Sequence, residues 1–194
     1  MNRMLFSAAL AFTLVPGFAA LANDRDDGRA SAPTVFVKID GIDGESTVKG
    51  HEGEIEAFNF SETFRQSTDI GSATGGSAAG KFTPGPVVFS KVHGKATIGL
   101  IRACANGAHF KDAIITFRKT GGKGTPVEYY KITLQQVFVT GINEKSNGDS
   151  LVDEVQLVFA SARWEELDPA DATDWDSRTG KASSTAPTTG RTTR

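Results

Sequence analysis

Two neighbouring stretches decide the fold: Ala113–Gly122, AIITFRKTGG, and Val127–Ile142, VEYYKITLQQVFVTGI. In the first, Ala113, Ile115 and Phe117 alternate with Ile114, Thr116 and Arg118, the period of two that sends successive side chains to opposite faces of a strand. In the second, Tyr130, Ile132, Leu134 and Phe138 take one face and Lys131, Thr133 and Gln135 the other, so one side meets a core and the other meets solvent or a partner. Thr120-Gly121-Gly122 between them is a turn signal, and the two stretches form a hairpin.

The same period recurs on both sides of the hairpin. Val35, Val37 and Ile39 share a face of a first strand. Ile55–Arg65 (IEAFNFSETFR) carries Phe58, Phe60 and Phe64 at even spacing, which predicts three rings on one face. Val87–Val92 is a short apolar run, and Leu151–Arg163 aligns Val155, Leu157 and Phe159 after an Asn147-Gly148-Asp149 turn. One segment departs from it. Lys95, Gly99, Arg102 and Asn106 form a polar helical stripe, with Ile98, Ile101 and Ala105, flanked by Leu100 and Cys104, opposite. Asn106-Gly107 offers a left-handed C-terminal cap. Hairpin-linked strands with a single amphipathic helix predict an all-β, mainly antiparallel barrel or sandwich rather than a parallel α/β fold.

Around this body, residues 34–165, the composition changes. Arg3 followed by an apolar run from Leu5 to Val15 and by Ala20-Leu21-Ala22 has the layout of a cleavable export signal over residues 1–22, with the mature chain starting at Asn23. Residues 23–33 read as a flexible linker closed by Pro33. Residues 166–194 are first acidic and then rich in Ser, Thr, Gly and Ala, a composition with few groups for a core, and disorder is expected there, with no role evident for Trp175.

Of 194 residues, 39% are hydrophobic and 23% charged, as in a soluble globular protein, and the formal charge of −2 gives no footprint for nucleic acid and no polybasic surface for a membrane. The single cysteine, Cys104, cannot make an intrachain disulfide and reads as a small core residue.

Three motifs suggest chemistry and fail on their context. Gly75–Lys81 (GGSAAGK) has phosphate-loop spacing, but Phe82 stands where Ser or Thr would bind magnesium, and Pro84 and Pro86 oppose the helix the motif needs. Gly148–Leu151 (GDSL) spells an esterase signature, but it sits at a hairpin turn with all three histidines upstream. His51, His93 and His109 have no metal-ligand spacing; the first two flank glycines and read as surface turn residues. No catalytic residue, cofactor or metal is therefore expected.

In ordered blocks the body resembles the haemolysin-coregulated (Hcp) proteins of bacterial type VI secretion. The blocks are FVKIDGIDGEST (Phe36–Thr47), HEGEIE (His51–Glu56), FSK (Phe89–Lys91), the helix ending ACANG, the hairpin quoted first, and VQLVF (Val155–Phe159). The resemblance implies a non-enzymatic β-barrel that closes six copies into rings, stacks the rings into a hollow tube and carries effector proteins. It makes the Gly/Ser/Ala-rich loop Thr68–Gly80 the candidate contact between rings, with Thr68, Asp69, Ile70, Gly71, Ser72, Gly75, Gly76 and Gly80 as its residues. Tube subunits of this family leave the cell without an N-terminal signal. Residues 1–22 therefore raise an alternative, an exported Hcp-like binding module acting outside the tube, and a secreted or periplasmic location; with a true start downstream of Met1, the expectation is cytoplasmic assembly followed by export. Toxin-bearing members carry a C-terminal catalytic domain, for which the residues beyond 165 are too few.

Overall fold

The computed structural model describes residues 34–67, 80–120, 125–167 and 170–184. The signal and linker expected over residues 1–33 lie outside these, as do Thr68–Ala79 of the candidate loop and residues 185–194. The strands are β1 (Thr34–Ile39), β2 (Ile55–Ser61), β3 (Phe64–Gln66), β4 (Phe82–Pro84), β5 (Val87–Val92), β6 (His109–Thr120), β7 (Pro126–Asn147), β8 (Ser150–Val158), β9 (Ser161–Leu167), β10 (Ala170–Asp176) and β11 (Lys181–Ser184), with α1 at Lys95–Asn106.

Every pairing is antiparallel, in the order β11-β10-β9-β7-β6-β1-β2-β5-β8, and β8 pairs back onto β7. That last pairing closes β7, β6, β1, β2, β5 and β8 into a barrel. β7, 22 residues long, serves two neighbours on one edge. Tyr130–Gln135 pair with β9, and Phe138 onward pairs with β8. The strand thus belongs to the barrel and also carries a leaf of β9, β10 and β11. Inside, Val37, Ile55, Phe89, Ile115, Ile132, Leu134, Val155 and Leu157 are fully buried.

Two strands do not keep the simple alternation. In β2 the backbone of Asn59 is left-handed (φ 50°) and the register with β5 shifts between Phe58 and Ser61. A bulge of this kind reverses which face the following residues take. Phe58 is 38% exposed, while Phe60 turns inward onto Phe117, with ring centroids 4.9 Å apart. The three rings expected on one face are divided. In β7, Gln136 is left-handed (φ 51°), and past it the buried positions change from Ile132 and Leu134 to Val137 and Val139, leaving Phe138 outside.

The helix forms where expected. Its C-terminus closes at Gly107 (φ 61°), with the amides of Gly107 and Ala108 bonding to the carbonyls of Cys104 and Ala103. Its buried face, however, is Ala96, Thr97, Leu100 and Ala103, and Ile98 is 58% exposed. Small residues let α1 lie close against the barrel, and the Thr97 hydroxyl finds a buried partner there.

The C-terminal segment corrects a second expectation. Rather than being disordered, residues 170–176 form β10, paired with β9 from Ala170↔Leu167 to Asp176↔Ser161, and β11 pairs with β10 in turn. The segment needs no core of its own, because β9 supplies the ladder and Trp175, buried at 8% exposure, supplies the apolar anchor.

Candidate functional site

Two places bring chemically distinct side chains together. The first is the neck of the candidate loop. Among the described residues β3 and β4 pair only with each other, Phe64↔Pro84 to Gln66↔Phe82, so they form a short two-stranded arm at the two ends of the candidate loop in the sequence. Of the candidate loop residues only Gly80 is described. It sits at the neck, where a Cβ would overlap the Ser67 carbonyl, so glycine is required there. The Gln66 side-chain amide donates to the Gly80 carbonyl at 2.6 Å, and the amide of Lys81 donates to Ser67 Oγ at 2.9 Å.

Aromatic rings tie the arm to the leaf. Phe64 stacks on Phe82 at 5.9 Å and meets Trp164 edge-on at 5.4 Å, and Phe82 meets Trp175 at 6.3 Å. Phe159 contacts both tryptophans. In front of this cluster, Glu62 accepts the Trp164 indole N–H at 3.2 and 3.0 Å. Burial pushes the Glu62 carboxyl up to about 7, against the opposing effect of the indole hydrogen bond. The Tyr130 hydroxyl is pushed up to about 12, first by burial and then by the charges of Glu62 and Glu166.

A carboxyl raised above its ordinary value favours the folded state while protonated. That contribution is full below about pH 4.5 and is lost as the pH rises to about 7. Glu62→Gln keeps an oxygen acceptor for Trp164 and removes the ionisation. The variant should match the parent near pH 4.5 and exceed it by about 2 kcal/mol at pH 8, a discounted share of the shift, as read by urea unfolding at both pH values.

The second place is at one end of the barrel. Alternation along β5 puts Lys91 on the inner face with Val87 and Phe89, and alternation along β8 puts Asp153 with Val155 and Leu157. The register makes Lys91 and Asp153 direct partners, both 1% exposed, with Lys91 Nζ 3.3 Å from Asp153 Oδ2. Lys91 also donates to the Val92 carbonyl at 2.7 Å and to Thr97 Oγ1 at 3.0 Å. Thr97 in turn donates its proton to Asp153 and accepts from the Gly94 amide at 3.0 Å. Burial works to raise the Asp153 pKa, but the Thr97 hydrogen bond, the Lys91 charge and the His93 contact together hold it below the ordinary value. At the rim, His93 Nδ1 lies 3.2 Å from Asp153 Oδ1 and 3.3 Å from Glu144 Oε1.

His51 is not the surface turn residue expected of it. It is buried and stacks on Phe36 at 4.1 Å, with Nδ1 2.8 Å from Glu54. Its Nε2 lies 3.2 Å from Glu128 but at an angle that makes no hydrogen bond. His109 is exposed and tilts over Phe138 at 5.7 Å. Ser150 of the GDSL stretch begins β8 after the Gly148 turn, as a hairpin residue.

A β-barrel with one helix is also the fold of known proteins that the chain is similar to. The family described as "Type VI secretion system effector, Hcp" matches residues 36–165. The chain belongs to the Hcp family. It is 37% identical over 134 residues to protein Hcp1 of Pseudomonas aeruginosa, covering 68% of this chain and 82% of that one. A crystal structure of Hcp1 from Salmonella typhimurium aligns with TM-score 0.66 and 27% identity, over 78% of this chain and 99% of the other. A structure described as a type six secretion system protein shares the fold at TM-score 0.70 and 20% identity, over 78% of this chain and 100% of the other. As an Hcp-family protein this chain is a structural component of type VI secretion and not an enzyme, and self-association and secretion are properties of its family.

Proposed function

We propose that the chain is a subunit of hexameric rings that stack into a type VI secretion tube, that the lumen receives secreted effector proteins, and that Thr68–Gly80 contacts the next ring. Family membership across residues 36–165 carries this reading. The arm supports the role of the loop, because among the described residues β3 and β4 pair only with each other, and Thr68–Gly80 lies between them in the sequence. Closed rings also require a heterologous interface, in which two different faces of each subunit complement each other. The test is negative-stain microscopy and size analysis of the chain from Asn23, beside a Gly71–Ala79 deletion. The parent should give stacked rings and the deletion single rings with an unchanged melting temperature, since shortening a loop costs little. A parent that stays monomeric at high concentration overturns the ring, and a deletion that still stacks overturns the role of the loop.

The signal-like segment Met1–Ala22 supports a second reading, an exported Hcp-like binding module acting outside the tube. N-terminal sequencing after cell fractionation separates the two. A periplasmic species beginning at Asn23 favours the module, and a cytoplasmic species favours the tube.

A further inference from the structure

We propose that His93, Glu144 and Asp153 form a binding site for one divalent transition-metal ion of the zinc type, clamping the turn between β5 and α1 to the β7–β8 ladder. Glu144 and Asp153 are direct partners across that ladder, and the His93 amide donates to the Leu151 carbonyl at 2.9 Å, so paired backbone presents all three side chains. One donor atom from each lies within 4.8 Å of the other two.

The distances also suit a metal ion. His93 Nδ1 stands 3.2 Å from Asp153 and 3.3 Å from Glu144. Charge-assisted N–H···O bonds are about 2.7–2.9 Å, so the hydrogen bond to Asp153 is long and the Glu144 contact longer still. Ligand bonds of about 2.0–2.1 Å in a tetrahedron set donors roughly 3.3–3.4 Å apart, and a nitrogen with two carboxylate oxygens suits zinc.

The surroundings also fit. The other oxygen of Asp153, Oδ2, is held by Thr97 and Lys91, so those groups orient the carboxylate and leave Oδ1 facing His93. His93 and Glu144 are 38% and 41% exposed, which leaves the remaining coordination position open to water. Three carboxylates, Asp153, Glu144 and Glu45, against the single Lys91 ammonium leave net negative charge for a dication to neutralise.

The test uses untagged full-length chain stripped with a chelator, titrated with zinc chloride in a calorimeter and melted with and without the ion. One zinc per chain should bind and raise the melting temperature. His93→Ala and Glu144→Gln should each weaken binding at least tenfold and abolish that rise while melting like the parent without zinc, and His109→Ala should bind like the parent. No uptake by the parent, or parental uptake by His93→Ala, overturns the site.

Discussion

Lys91→Ala should destabilise the barrel by about 3–5 kcal/mol at neutral pH, because it leaves Asp153 as a buried charge without its cation. Lys91 and Asp153 are each 1% exposed and face each other in the β5–β8 register. Thr97 and His93 can still bond to the carboxylate in the variant, but neither replaces the ammonium. The pH dependence identifies the cause. In the parent, Asp153 is held below its ordinary pKa, so its contribution is lost only as the pH falls through that low value. In Lys91→Ala, burial is opposed only by the Thr97 and His93 hydrogen bonds, and the carboxyl takes up a proton at higher pH than in the parent. The deficit should therefore narrow from pH 7 towards pH 4 in urea unfolding. A double variant, Lys91→Met with Asp153→Leu, should lose much less than Lys91→Ala, since it leaves no buried charge unpaired, and Glu45, which also lies 3.5 Å from Lys91, is 40% exposed. A deficit that stays constant with pH would mean that lost packing of the lysine stem, not the stranded carboxylate, sets the cost.

That pair was open to reading in the sequence through the same period of two that revealed the strands. In Val87–Val92 the alternation that buries Val87 and Phe89 also buries Lys91, and in Leu151–Val158 it buries Asp153 with Val155 and Leu157. Charge pulls both residues towards the solvent face in a composition-based reading, and only the register shows that they neutralise each other. The fold class and the antiparallel hairpin of β6 and β7 follow from alternation because it extends over many residues.

The errors arose where local backbone breaks the period. Asn59 and Gln136 take left-handed backbone without being glycine, so no residue type announced the change of face that turns Phe60 inward and sends Phe138 outward. The helix face was misassigned because the isoleucines outweigh Ala96, Thr97 and Ala103 in hydrophobicity, whereas close approach to the barrel selects the small residues. The His93, Glu144 and Asp153 cluster comes from three separate segments, so linear spacing could not show it.

Trp175→Ala should cost about 3–5 kcal/mol, the range for truncating a buried aromatic residue, although it lies in a segment whose composition predicts disorder. Trp175 is 8% exposed and meets Phe82 at 6.3 Å and Phe159 at 6.0 Å. Its neighbours across the ladder, Ala162 and Ala182, are small enough to leave room for the indole. Because Phe82 belongs to the arm, the loss should spread from the leaf to the neck. Hydrogen exchange should speed up in β10, β11, β3 and β4 while β1 and β6 stay protected. A second substitution separates apolar burial from polar bonding. The Trp175 indole N–H is buried without a hydrogen-bond acceptor among the described residues, and such a donor costs about 1–3 kcal/mol. Trp175→Phe removes that donor and keeps most of the ring, so it should lie within about 1 kcal/mol of the parent. If Phe proves as damaging as Ala, the indole nitrogen has a partner and its hydrogen bond anchors the strand; if Ala is harmless, β10 and β11 are held by the ladder alone.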